Sequence, residues 1–279
     1  MRNLKLIASA AVLASALAGI TAASAADLAA RPYTKAPAPA AIVYDWTGFY
    51  VGGNVGYSWG RAGNTATISN FATGAALFTA NSSNNVDGVI GGGQIGYNWQ
   101  SQNWVFGVEA DIQGSGEKGS TSFLCVACGD TGGNITSTLT QKLNWFGTVR
   151  GRVGVLATPD VLFYGTGGLA YGEVDTGGSI TGINLQGVPV TVAFPGASST
   201  RAGWTAGAGV EGRIAGNWTA KLEYLYMDLG TVNGGPVATT ILVPPNRANA
   251  GASYSSHFTD NILRVGVNYR FGGPVVAKY

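Results

Sequence analysis

The sequence predicts an all-β protein: an eight-stranded antiparallel up-and-down transmembrane β-barrel with four long outer loops and short periplasmic turns. Three observations lead to this fold class: residue-by-residue alternation of apolar and polar side chains, a high glycine content, and connections that alternate between long and short. Gly accounts for 44 of the 279 residues, while charged residues make up only 11% and aromatic residues 10%. Such a composition is typical of turn-rich β architecture rather than of helices.

The final strand, residues 261–271, shows the alternation most clearly. One face carries Leu263, Val265, Val267, Tyr269 and Phe271, and the other carries Arg264, Gly266, Asn268 and Arg270. A period of two is typical of a β-strand with two different faces. An apolar face toward lipid and a polar face toward a barrel interior explain this pattern, with the terminal aromatic residues at the membrane interface. We therefore interpret Tyr269 and Phe271 as the closing-strand aromatic signal for assembly.

Three segments divide the chain. Residues 1–25 have the features of a signal peptide, because Arg2 and Lys5 precede an apolar core and a small-residue cleavage site. Residues 26–45 are rich in Pro and Ala and predict an extended periplasmic segment, while residues 46–279 form the barrel and a short tail. Removing two of the 16 basic residues leaves 14 against 14 acidic ones. The mature chain then has a net charge of about zero, which gives no support for nucleic-acid binding.

The strands follow one another at regular intervals. They are predicted at residues 48–59, 86–99, 104–113, 138–156, 161–174, 202–215, 218–228 and 261–271. Long polar stretches, predicted as loops, occupy residues 61–85, 117–137, 175–200 and 230–256. Short turns occupy residues 100–103, 157–160 and 216–217. This alternation, with an even number of strands, is typical of outer-membrane barrels. The two faces of the fifth strand cannot be assigned from its sequence.

The predicted inner face carries ten charged residues. They are Glu109, Asp111, Arg150, Arg152, Glu211, Arg213, Lys221, Glu223, Arg264 and Arg270. A soluble β-sandwich or lipocalin-type barrel is the alternative fold, but it would bury these charges and expose rows of aromatic and aliphatic residues to water. Eight strands enclose a lumen that side chains can fill. We therefore expect the charges to pair as a barrel-interior network that conducts ions poorly.

The two cysteines form a Cys-x-x-Cys motif in the second long stretch. Cys125 and Cys128 could belong to a redox site, to half of a metal site or to a small disulfide. A zinc site would need two further ligands, and a thioredoxin-type site would need a helix directly after a strand. In an exported chain, a loop disulfide is the favoured interpretation.

His257 is the only histidine, and it lies close to several serines and to Asp260. A lipid hydrolase with a Ser/His pair is conceivable at this position. No motif spacing supports it, so we predict a non-enzymatic protein without cofactor or metal.

Four blocks of sequence resemble a known family. They are residues 45–57 (DWTGFYVGGNVGY), 164–172 (YGTGGLAYG), 203–211 (GWTAGAGVE) and 265–271 (VGVNYRF). They are similar to the small alphaproteobacterial outer-membrane β-barrel proteins, often labelled porin family, which resemble the OmpA and OmpX membrane domains. One departure is that residues 272–279 follow Phe271, whereas chains of the family often end on that aromatic residue.

The resemblance implies a cell outer membrane location in a Gram-negative cell envelope and a structural role. We expect a barrel that contributes to envelope integrity and surface display. A narrow passive pore and an adhesin or receptor surface are the alternatives. The implied partners are outer-membrane lipid, lipopolysaccharide and the barrel-assembly machinery, with any surface ligand unknown.

Overall fold

Eight antiparallel strands form a closed barrel in the computed structural model, in the order β1 to β8, with β8 paired to β1. The structure describes residues 44–70, 72–126, 134–183, 188–243 and 248–272. Within these residues, no helix is long and apolar enough to cross a membrane. The predicted signal peptide lies outside the described residues.

The strands are longer than the sequence predicts. Their bounds are β1 Gly48–Asn70, β2 Ala76–Ser101, β3 Trp104–Cys125, β4 Ile135–Thr158, β5 Val161–Ile183, β6 Pro189–Ala215, β7 Trp218–Val243 and β8 Ala248–Arg270. We call the end with the connections at 102–103, 159–160 and 216–217 the turn end, and the opposite end the extended end. The eight strands are confirmed, and both described termini lie at the turn end.

The four predicted long loops are largely strand, which corrects the sequence prediction. In residues 61–85, for example, the ladder between β1 and β2 continues as far as Ser69 and Ala76. Hydroxyl and amide side chains bridge neighbouring strands there, as in the bond from Thr65 Oγ1 to Asn81 Oδ1 at 2.8 Å. Such cross-strand polar pairs stabilise a sheet without apolar alternation. The apolar signal therefore ends before the strands do.

The outer wall next to the turn end is apolar, as predicted. Val55 is 62% exposed and Val265 is 52% exposed, whereas Arg264 on the opposite face of β8 is only 1% exposed. The structure also settles the faces of β5: Leu162 is buried, while Phe163 on the neighbouring position is exposed.

A β-bulge in β4 reverses part of the predicted facing of that strand. The register with β5 shifts between Leu143 and Trp145. Leu143, predicted to face outward, is buried inside the barrel, and Lys142 and Asn144, predicted to face inward, are exposed. The extra residue changes the face of every side chain beyond it.

Candidate functional site

The barrel lumen is the candidate functional site, and its centre is a layer of ionised side chains. We call it the charge layer. It consists of Glu109, Asp111, Glu211, Glu223, Arg150, Arg152, Lys221 and Arg264, each at most 5% exposed. Four acids and four bases give a formal net charge of zero. Their inward direction follows from strand alternation, since each lies on the face opposite the exposed aliphatic residues.

Two arginines link the acids in the centre of the charge layer. Arg264 Nη2 lies 2.6 Å from Glu223 Oε2 and 3.0 Å from Asp111 Oδ2. Arg150 lies 2.5 Å from Glu109 Oε1, 2.9 Å from Asp111 Oδ2 and 3.2 Å from Glu223 Oε1. Each arginine therefore contacts acids from different strands, which ties opposite walls of the barrel together.

The remaining bases extend the charge layer toward the turn end. Lys221 Nζ lies 2.9 Å from Glu109 Oε1. Arg152 Nη2 lies 2.7 Å from Glu211 Oε2, and its guanidinium lies over the Tyr164 ring, 4.1 Å from the centroid. Buried charges are tolerated only when they are paired and hydrogen-bonded in this way.

Uncharged side chains add hydrogen bonds to the charge layer, and the sequence prediction of the network did not include them. Tyr50 donates to Glu109 Oε2 at 2.8 Å, and Tyr164 donates to Glu223 Oε1 at 2.9 Å. Asn268 donates to Glu211 Oε1 at 2.8 Å and accepts from Gln94. The alternation of the strands predicts that these residues face inward. Because they are neutral, nothing in the sequence indicates that they take part in a network of charges.

Two of the ten predicted network members lie elsewhere. Arg213 is exposed at the turn end, where its Nε lies 2.6 Å from Asp160 Oδ1 in the neighbouring turn. The register between β6 and β7 shifts directly after Arg213, at the end of β6, and the side chain of Arg213 points to water instead of the lumen. Arg270 is buried but donates to Tyr44 Oη and to the carbonyl of Thr47, and among the described residues no carboxylate lies within ion-pair distance of it.

An apolar group closes the lumen at the turn end. We call it the turn-end cap; it consists of Tyr44, Trp46, Val105, Leu162 and Tyr164. Trp46 is 1% exposed, its backbone N–H donates to Gln100 and its indole N–H donates to the carbonyl of Pro159. The segment just before β1 thus folds into the lumen. Of the segment predicted as a spacer, Tyr44 and Asp45 are described, and Tyr44 is buried in the turn-end cap.

A second apolar group lies on the other side of the charge layer. We call it the apolar layer; it consists of Ala62, Val86, Ile90, Leu143, Phe146, Ala170, Val174, Leu225, Met227, Leu229, Phe258 and Ile262. Toward the extended end, Gln141 Nε2 follows, donating to Asn64 Oδ1 at 2.7 Å and to Ser256 Oγ at 2.6 Å. The lumen is therefore filled in successive layers.

Two acids that form no ion pair among the described residues lie beside the apolar layer, and Glu117 Oε1 accepts a hydrogen bond from Ser115 Oγ at 3.0 Å. Glu117 and Asp260 are 1% and 0% exposed, and they lie beside one another and beside Ser58. Neither oxygen of Asp260 has a hydrogen-bond partner in suitable geometry among the described residues. Two carboxyl groups cannot both be ionised this close together in an apolar environment.

The remaining candidates from the sequence are the two cysteines and the aromatic residues of the closing strand. Cys125 ends β3 and Cys128 lies outside the described residues, so their disulfide stays a prediction. Phe271 is 49% exposed and packs against Phe49 and Tyr269. Its role as an assembly signal also stays a prediction.

His257 lies on the outer wall, away from the charge layer. Its Nε2 lies 3.5 Å from Asp228 Oδ2 and its Nδ1 lies 3.2 Å from Thr231 Oγ1. In the part of the chain that the structure describes, no hydrogen bond joins it to a serine, and Asp260 faces the other side of β8. Within the same residues, no group of three His, Cys, Asp or Glu side chains could hold a metal ion.

Comparison with known proteins points to the same architecture. The family described as "Outer membrane protein beta-barrel domain" matches residues 11–271. The "31 kDa outer-membrane immunogenic protein" of Brucella melitensis is 37% identical over 90% of this chain and 94% of its own. The "22 kDa outer membrane protein" of Rhizobium leguminosarum bv. viciae is 31% identical over 84% of this chain and 82% of its own. Among solved structures, the outer membrane protein OprG of Pseudomonas aeruginosa has a TM-score of 0.45 at 13% identity, covering 82% of this chain and all of that one.

Proposed function

Since this chain belongs to the outer membrane protein β-barrel domain family of Gram-negative bacteria, we propose that it is a non-enzymatic structural protein that contributes to the integrity of the outer membrane. The turn end faces the periplasm and the extended end faces the cell exterior, following the general orientation of such barrels. The observation that carries the proposal is the filled lumen, in which the charge layer lies between the turn-end cap and the apolar layer.

A continuous water path through the barrel would have to cross three groups of packed side chains. Arg150 and Arg264 are each held by several carboxylates, so moving either one would break several charge-assisted bonds at once. Phe146 and Ile262 in the apolar layer are 0% exposed. A charged solute would have to leave water to pass them, which is strongly unfavourable. The filled lumen therefore favours a structural role over that of a passive pore.

Single-channel recording on the refolded protein in a planar bilayer tests this proposal. We expect no stable openings at voltages where a trimeric porin, reconstituted in parallel, conducts steadily. A shift in gel mobility between boiled and unboiled samples checks that the barrel has folded. Long-lived channels from folded wild-type protein, free of contaminating porins, would establish the pore instead.

Surface display is a second candidate function, favoured by the length of the strands. From Asp260, β8 continues for twelve residues to Ala248, which corresponds to roughly 30 Å of tilted strand. Two relatives named above are called outer-membrane proteins, one of them immunogenic, and an antigen has to be accessible. Protease treatment of intact cells should cut this chain only within the extended end. Cuts confined to the periplasmic turns of broken cells would contradict surface display.

A further inference from the structure

Glu117, Asp260 and Ser58 place several buried oxygen atoms together in the lumen, beside the apolar layer. The three side chains come from β3, β8 and β1 and are 1%, 0% and 0% exposed. Ser58 lies beside both acids. Among the described residues, four oxygens have no hydrogen-bond partner in suitable geometry: Glu117 Oε2, Asp260 Oδ1 and Oδ2, and Ser58 Oγ. Because buried polar atoms without a partner are costly, this concentration of oxygens indicates a ligand.

The charge of the two carboxylates is not balanced by a base of the protein. The charge layer holds four acids and four bases and is neutral by itself. Lys118, next to Glu117, lies on the outer wall. Arg201 on β6 faces the lumen, but in the part of the chain that the structure describes no base forms an ion pair with Glu117 or Asp260. When both carboxyl groups are ionised, they therefore require a cation between them, and a divalent one would balance their charge.

The strands hold the two carboxylates in position. Ser115 Oγ donates to Glu117 Oε1 at 3.0 Å, which leaves Oε2 for another partner. The register of β3 shifts between Gly114 and Glu117, and bulges of this kind often direct a side chain into a site. Gly60 lies directly opposite Asp260, and a Cβ there would lie 3.0 Å from Asp260 Oδ1. The missing side chain thus leaves room beside this carboxylate.

The chemistry of the donor atoms indicates which cation fits. Only oxygen atoms are offered, which selects a hard cation such as calcium or magnesium over zinc or copper. Calcium accepts about six to eight oxygen ligands in flexible geometry, including carboxylates that bind through both oxygens. Magnesium requires a near-ideal octahedron and keeps several of its own waters. A crowded lumen with a few fixed oxygens therefore favours calcium.

We propose that Glu117, Asp260 and Ser58 bind one calcium ion inside the barrel, with water supplying the remaining ligands. The site lies on the extended side of the charge layer. Trp59, next to Ser58 on the opposite face of β1, is exposed and marks the membrane interface at this level. The inference goes beyond the structural role and would hold for a conducting barrel too, because the charge layer takes no part in the site.

Equilibrium dialysis of the refolded mature chain in detergent, with radiolabelled calcium, tests the site. We expect one calcium ion per wild-type chain, with half-saturation at or below about 1 mM, and competition by magnesium only at about tenfold higher concentration or more. Asp260→Asn and Glu117→Gln should each weaken calcium binding at least about tenfold. Asp175→Asn is the matched control, because it removes one carboxylate from the outer wall, where Asn144 Nδ2 contacts both Asp175 and Glu173. It should bind calcium like wild type.

Thermal unfolding gives a second readout of the same site. In EDTA, Asp260→Asn should be at least as stable as wild type, since the amide removes a buried carboxyl that has no counter-charge. Added calcium should raise the unfolding midpoint of wild type and of Asp175→Asn, because it binds only the folded chain. The midpoint of Asp260→Asn should stay where it is in EDTA.

Three outcomes would overturn the proposal. They are folded wild type that retains no calcium, calcium binding that survives both Asp260→Asn and Glu117→Gln, and an equal loss of binding in Asp175→Asn. The first outcome would mean that the two acids share a proton or a water molecule instead. The wild-type measurement stands even if a variant does not fold, which heat-modifiable gel mobility checks. Calcium binding is measured independently of conductance, so failure here is distinct from failure of the structural role.

Discussion

The phenol ring of Tyr50 lies over Gly96, its cross-strand partner on β2, and fills the space that a larger residue would need. A Cβ at Gly96 would overlap the phenol oxygen, which donates to Glu109 at 2.8 Å. A glycine inside the wall thus allows a tyrosine to lie flat and to reach the charge layer. Packing and hydrogen bonding in the lumen both depend on this contact.

Gly96→Ala should therefore destabilise the barrel by about 1–3 kcal/mol, because the added methyl group displaces Tyr50 from Glu109. Gly93→Ala on the same strand is the control, since a Cβ there meets only the Gly52 carbonyl oxygen at 3.6 Å, in ordinary contact. That control should change stability by less than about 0.5 kcal/mol. Urea unfolding in detergent, followed by tryptophan fluorescence, measures both. Equal losses would show that Tyr50 adapts without cost.

The sequence predicts the turn-end half of the barrel well because one face of each strand meets lipid there. That environment enforces an apolar residue at every second position, as in Leu263 and Val265 of β8. Outside the membrane both faces of a strand are polar, so the continuation of β1 beyond Trp59 resembles a loop in sequence. The strand boundaries at the extended end could not be predicted for this reason.

The sequence predicts which charged positions face inward, but not the contacts that they make or the neutral residues that join them. The period of two identifies the charged residues that face inward. A bulge such as the one at Leu143 reverses which side chains face the lumen, and the order of apolar and polar residues does not reveal it. The alternation predicts that Arg213 faces inward. Because it lies at the end of β6, its side chain contacts Asp160 and water instead. The insertion of Trp46 into the lumen depends on contacts distant in sequence, such as the one with Pro159.

Arg264→Met should cost about 3–5 kcal/mol of stability, because it leaves Glu223 in the lumen without its nearest base and Asp111 without one of its two arginine partners. The charge layer holds four acids and four bases, so the substitution also leaves one negative charge unbalanced. Adding Glu223→Gln restores the balance and should recover at least about half of the loss. A double variant as unstable as the single one would mean that shape, rather than charge balance, decides the cost.

Asp260→Asn should leave stability unchanged or increase it by about 1 kcal/mol, which is the opposite of the result at Arg264. Asp260 lies next to Glu117 in the apolar layer and forms no ion pair among the described residues. The amide removes a buried carboxyl that cannot be ionised without cost. Thermal and urea unfolding of Asp260→Asn and wild type at pH 8 make the comparison. A loss of stability as large as that of Arg264→Met would show that Asp260 has a stabilising partner.

Trp46→Ala should destabilise the barrel by about 3–5 kcal/mol, since it removes a buried indole from the turn-end cap. It should not produce stable channels, because the charge layer and the apolar layer remain in place. Planar-bilayer recording on the folded variant tests this second statement, with Trp218→Ala, on the exposed face of β7, as the matched control. Steady conductance from Trp46→Ala alone would mean that the cap by itself closes the lumen.

Val265→Arg tests which face of β8 meets lipid. Val265 is 52% exposed and lies between Val55 and Leu222 on the apolar outer wall. An arginine near the bilayer midplane should cost about 2–4 kcal/mol, whereas the same residue near or beyond the interface should cost about 0–1 kcal/mol. Ser255→Arg is the matched control, because it shares the face and strand of Val265 but lies ten residues closer to the extended end. Reversible unfolding into urea from lipid vesicles gives both values. Similar costs for the two variants would place the membrane boundary elsewhere on the barrel.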